Sequence, residues 1–109
     1  MNNIWSNAAD LILKDGVSLE SLGIKNWALG RSEAIDAVSK LVECGIPTLG
    51  CDVYVLRDEK IEQTYDSWYC NHLPDEPEID FAKRSAEAAI KYMKSYSSDF
   101  PLFAIVPKV

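Results

Sequence analysis

The stretch Gly45–Cys70, GIPTLGCDVYVLRDEKIEQTYDSWYC, decides the fold. Thr48 to Leu56 carries Leu49, Val53, Tyr54, Val55 and Leu56, the β-branched, aromatic and aliphatic types that suit a pleated, half-buried surface. Arg57-Asp58-Glu59-Lys60 is a polar break, and Asp58 can start a turn by bonding its own backbone. From Ile61 to Tyr69 the chain returns with Ile61, Gln63 and Tyr65 on one face and Glu62, Thr64 and Asp66 on the other, ending in Trp68 and Tyr69. The stretch reads as a β-hairpin. Two carboxylates, Asp52 and Asp66, stand near its ends among apolar and aromatic neighbours. A carboxylate so placed must be hydrogen-bonded, solvated at a rim, or used.

Upstream, Ser32 reads as an N-cap, with Glu33 in the first turn. Ile35, Val38, Leu41 and Val42 then form an apolar stripe that ends near Glu43 or Cys44. Gly45 stops this helix, Pro47 cannot continue it, and Gly45-Ile46-Pro47 feeds the chain into the hairpin. Further back, Ile4, Trp5, Ala8, Leu11 and Ile12 predict an amphipathic helix over residues 3–14, with Trp5 in the core and Gly16 in a left-handed stop. Ser18 can cap a single turn through Leu22, stopped by Gly23. Ile24–Leu29 reads as a short strand or an extended connector.

Downstream, Asn71–Glu78 (NHLPDEPE) is a proline-rich acidic loop. A helix follows over residues 79–96, with Ala82, Ala86, Ala89, Ile90, Met93 and Tyr96 on one face, or Phe81 in place of one. Leu102–Val106 is a continuous apolar run suited to a strand buried on both faces, closed by Pro107. The expected fold is a single α+β domain over residues 1–109. About three helices pack on a small sheet holding a central hairpin and a C-terminal strand, which pairs with a hairpin strand near the middle.

A net charge of −6 disfavours nucleic acid and anionic membranes and suits a basic partner. No apolar run approaches the roughly 20 residues of a membrane span, and the N-terminal segment lacks the basic start of a signal peptide. Three cysteines in scattered contexts, Cys44, Cys51 and Cys70, fit free buried thiols in a reducing cytoplasm.

Catalytic signatures are mostly missing. Gly45–Gly50 lacks the Gly-Lys-Ser/Thr ending of a phosphate loop. Cys70 and His72 have no orienting third group for nucleophilic work, and they lack the four-ligand spacing of a zinc site. No catalytic, cofactor or metal residue is therefore assigned. A carboxylate-dependent enzyme using Asp52 and Asp66 is the alternative, and it requires the two to meet. A structural assembly module using the hairpin edge is a further one. The third reading makes Asp52, Tyr54, Asp66, Trp68 and Tyr69 a binding surface, since acids beside aromatics suit a basic protein partner.

These residues also carry a resemblance. GIPTLGCDVYVL and TYDSWYC, preceded by NWAL and by a helix ending in ECGIP, resemble the immunity protein 40 family of bacterial polymorphic-toxin systems. Gly50, Asp52, Val53 and Tyr54, then Tyr65, Asp66, Trp68 and Tyr69, are its most specific part. The family pattern places two glycines before the aspartate, whereas this chain has Gly50 and then Cys51, so a glycine-only backbone there is in question. The resemblance implies a small cytoplasmic protein, encoded beside a toxin, that binds the toxin domain and blocks it. It implies no cofactor and no mapped contact residues.

Overall fold

The central hairpin forms as its alternation requires. In the computed structural model, which describes residues 3–109, Thr48–Arg57 (β3) and Lys60–Tyr69 (β4) pair antiparallel from Gly50↔Tyr69 to Arg57↔Lys60. The turn is shorter than the polar break suggests. Only Asp58 (φ 51°) and Glu59 (φ 66°) lie outside the strands, and both take left-handed backbone, as a twist-matched two-residue turn demands. The ladder is interrupted once. Between the pairs Asp52↔Ser67 and Tyr54↔Gln63, the three residues Thr64, Tyr65 and Asp66 stand opposite Val53 alone. Thr64 Oγ1 donates to Val53 O at 2.8 Å in place of a main-chain bond, and Tyr65 is thrown out at φ 65°, 88% exposed. The regular alternation expected through Tyr65 therefore breaks at this bulge.

Pro101–Pro107 (β5) lies against the other side of β3, as its apolar run predicts, with Val53↔Phe103 and Cys51↔Ile105 in register. Trp27–Gly30 (β2) pairs with β5, which makes the IKNWAL segment a strand rather than a connector. Val17–Ser18 (β1) completes an antiparallel five-stranded sheet in the order β1-β2-β5-β3-β4. The two residues of β1 are too short for a periodic signal, and a 3-10 turn over Glu20–Leu22 follows them.

One face of the sheet carries Leu29, Cys51, Val53, Phe103 and Ile105. It is covered by Asn7–Leu13 (α1), Arg31–Glu43 (α2) and Glu78–Ser95 (α3). Val38 and Leu41 of α2 and Ala89 and Met93 of α3 meet these strand residues in the core. The alanines of α3 let the helix lie close, and truncating a buried anchor such as Phe103 to alanine costs about 3–5 kcal/mol. The opposite face is thinly covered. Leu19, Ala28, Tyr54 and Ala104 form a small cluster there, roofed in part by Ile24 and Ile61.

Several local expectations change. The first helix starts at Asn7 because Ser6 caps it by accepting from Ala9 N–H, while the Asp10 carboxylate reaches back to the amides of Ile4 and Trp5. Leu11 consequently faces solvent at 64% exposure. Trp5 is half-buried, its Nε1 donating to Asn26 Oδ1. Asn26 is itself buried, and its Nδ2 donates to Ile105 O. Gly16 is not left-handed; a Cβ there would lie 2.8 Å from Ala28 O, so the strand crossing fixes the glycine. Gly45 does take the left-handed stop at φ 73°. Gly30, not Ser32, caps α2, which begins at Arg31.

Candidate functional site

The free side of β4 gathers most of the residues singled out in the sequence. Tyr69 and Ser67 share the thinly covered face with Asp52, because Gly50↔Tyr69 and Asp52↔Ser67 are cross-strand pairs. Tyr69 lies flat over Gly50. A Cβ at Gly50 would fall 2.3 Å from Tyr69 Cδ1 and 2.7 Å from Cε1. In that pose the Tyr69 hydroxyl donates to Asp52 Oδ1 at 3.1 Å. Burial first, and then the neighbouring Asp52 charge, push the Tyr69 phenol above its ordinary pKa, so it remains a donor at neutral pH.

Asp66 turns the other way. Its Oδ2 accepts from the Tyr96 hydroxyl at 2.6 Å, just past the end of α3. Tyr96 packs edge-on to Phe103, and Tyr92 stacks on Trp68 with ring centroids 6.2 Å apart. Burial leads the upward shift of Tyr96, and its bond to Asp66 adds to it. Trp68 therefore joins the helix-side packing as a half-buried anchor. Tyr54, expected on the binding surface, is only 2% exposed and supplies core under the thin face instead.

Asp52 and Asp66 thus leave β3 and β4 on opposite faces of the sheet, each held by a tyrosine of its own. The shared acid-base site that a carboxylate enzyme requires is not formed by these two residues. Each carboxylate keeps one oxygen without a hydrogen-bond partner among the described residues, and neither forms an ion pair there. The two carboxylates stand on opposite faces at the open end of the hairpin, Asp52 on β3 and Asp66 on β4.

Cys70 and His72 do not meet as a nucleophilic pair. Cys70 Sγ accepts from Arg84 Nη1 at 3.2 Å. His72 stacks on Phe81 at 4.5 Å, its Nε2 sits 2.6 Å from Glu76 O, and its Nδ1 faces Lys108 Nζ. Arg84 grips Glu76 through two bonds of 2.8 Å and also donates to Asn71 O, which pins the acidic loop to α3. This grip draws the Glu76 carboxyl down to about 2. Cys51 is buried, and desolvation followed by the Asp52 charge raises its thiol to about 12; Cys44, expected among buried thiols, is exposed. No group of three or more His, Cys, Asp or Glu among the described residues is placed to hold a metal ion. The larger clefts, about 540 Å³ beside Phe100 and about 660 Å³ between Trp5 and Trp27, are lined by neither Asp52 nor Asp66.

The sequence gives no direct sign of Tyr92 and Tyr96 as partners of the hairpin. Their i, i+4 spacing marks one helix face, but only the packing of α3 on the sheet brings that face to β4.

The model of the family described as Immunity protein 40 matches residues 18–107. The chain belongs to the immunity protein 40 family. The matched region holds the sheet from Ser18 onward, α2 and α3, and leaves α1 and Val17 outside. No curated protein and no solved structure matches the chain. Membership of immunity protein 40 assigns a general role in toxin immunity, and with it a toxin as binding partner. Within this immunity protein 40 chain, Cys51 occupies the second of the two positions that the resemblance gives to glycine. It sits in ordinary strand backbone, and Gly50 alone is required, for the space its neighbours take.

Proposed function

We propose that the chain neutralises a cognate bacterial toxin domain by binding it one-to-one through the Asp52–Asp66 end of the hairpin. The observation that carries this reading is the pair of carboxylates held by tyrosine hydroxyls, each with an oxygen free and no ion-pair partner among the described residues. Tyr69, exposed beside Asp52, and half-buried Trp68 supply aromatic contact area at that end. The partner surface is basic, of the sort a nuclease or other nucleic-acid-directed toxin presents, and a chain of net charge −6 finds it by electrostatic steering. The action is blockade without catalysis, in the cytoplasm, with neither nucleic acid nor membrane as target.

Co-expression with the toxin domain encoded by the adjacent gene tests this. Co-purification and rescue of growth are expected. Rescue should fall with the Asp52→Asn/Asp66→Asn double variant while its melting temperature changes little, because both groups lie at the surface. Full rescue by a double variant that remains folded would place the interface elsewhere.

A further inference from the structure

The sheet has two outer strands, and they are not equivalent. β1 offers two residues, whereas β4 offers ten. The direction of the main-chain groups on β4 follows from the ladder. Cys70 N–H donates to Leu49 O at 2.8 Å, so Cys70 turns its polar groups inward to β3. Antiparallel pairing alternates, so Trp68 also turns inward, opposite Cys51. Ser67 and Tyr69 must then direct their N–H and C=O groups outward. Outside the β3 ladder, neither main chain takes a hydrogen bond from the described residues. The edge is short, three residues or about 10 Å. It is closed on one side by the bulge at Thr64–Asp66, from which Tyr65 projects.

We infer that Ser67–Tyr69 receives an extended basic segment of the toxin as an added sixth strand. This rests on the toxin-binding reading above and specifies its geometry. Side chains on an added strand point alternately to the two faces. On one face they meet Asp52 beside Tyr69, and on the other Asp66 beside Tyr96. Basic residues at neighbouring positions of the incoming strand therefore each find a carboxylate with a free oxygen. Main-chain bonds give the affinity and the flanking charges fix the register. A second copy of this chain is the poorer occupant. It would bring its own unpaired carboxylates to the same edge, and both chains carry −6. The bulge, which twists an edge away from indiscriminate pairing, acts in the same direction.

Amide hydrogen exchange on the free chain and on its complex with the toxin domain of the adjacent gene reads this directly. In the free chain, the Ser67 and Tyr69 amides should exchange quickly and the Trp68 and Cys70 amides slowly. In the complex, the Ser67 and Tyr69 amides should slow by tenfold or more. Ser67→Pro deletes an outward donor at an edge position and should weaken binding at least tenfold, whereas Ser67→Ala should stay within twofold of the parent. A complex that forms while both amides remain fast overturns the added strand and leaves the binding reading standing. Failure of any complex to form overturns both. Protection of the same amides in a dimer of the free chain would assign the edge to self-pairing and overturn the inference.

Discussion

Replacing Gly50 by alanine probes the packing that sets the Tyr69–Asp52 arrangement. A Cβ at this position would lie 2.3 Å from the main-chain oxygen of Trp68 and 2.3 Å and 2.7 Å from two ring carbons of Tyr69. The ring can swing away, but the Trp68 oxygen belongs to the β3–β4 ladder and yields only if the strands separate. Overpacking of this kind costs about 1–3 kcal/mol. Displacing the ring also releases its hydroxyl from Asp52, a further loss of about 0.5–1 kcal/mol at an exposed site. Gly50→Ala should therefore destabilise the fold by about 1.5–4 kcal/mol, a fall in Tm of roughly 6–17 °C for a domain of this size. Urea unfolding and thermal melts measure it. Because part of the clash is with the Tyr69 ring, adding Tyr69→Ala should recover some of the loss. The double variant should then be more stable than the sum of the singles by about 1 kcal/mol. A single variant within about 0.5 kcal/mol of the parent, or strict additivity, would refute the claim that Gly50 exists to seat Tyr69.

Contacts elsewhere in the chain carry expectations of their own. The Arg84 grip lowers the folded Glu76 carboxyl from the usual range to about 2, so its contribution is full above about pH 4.5 and is lost as pH falls through 2. In urea midpoints from pH 7 to pH 2, the gap between parent and Glu76→Gln should be present at neutral pH and close toward pH 2. At the hairpin turn, Asp58→Asn/Glu59→Gly suits the left-handed backbone at both positions and should stabilise by about 0.5–1 kcal/mol in a chemical melt. With a thiol reagent at pH 8, Cys44 should label in the native protein, whereas Cys51, buried and raised to about 12, should label only on unfolding.

Much of the architecture was legible because it rests on short-range periodicity. Val38, Leu41, Gly45 and Pro47 state a helix, its stop and a strand start within ten residues, and the structure places them so. The apolar run Leu102–Val106 announces a strand buried on both faces, and the successive residues Phe103, Ala104 and Ile105 of β5 are all buried. What escaped reading depends on contacts across the chain. Gly16 looks like a helix stop because a glycine follows a periodic segment, yet its constraint is the approach of Ala28 from β2. Tyr65 continues a period-2 pattern on paper, and only the extra residues opposite Val53 expel it from the sheet. For the site, the sequence supplies Asp52, Asp66, Trp68 and Tyr69 but cannot show that the carboxylates face apart. That separation arises from the pleat together with the docking of Tyr96, thirty residues after Asp66. Tyr54 reads as a contact because an aromatic stands beside an acid, whereas packing with Leu19, Ile24 and Ile61 leaves it 2% exposed.

The most direct test of toxin binding by the hairpin carboxylates is a calorimetric titration of the purified adjacent-gene toxin domain into this chain, at low and at 0.5 M salt. A one-to-one complex that weakens as salt rises is expected. Affinity should fall at least tenfold when Asp52 and Asp66 are both replaced by asparagine in a folded variant. A complex indifferent to salt and to the double replacement, or no complex at all, would contradict it.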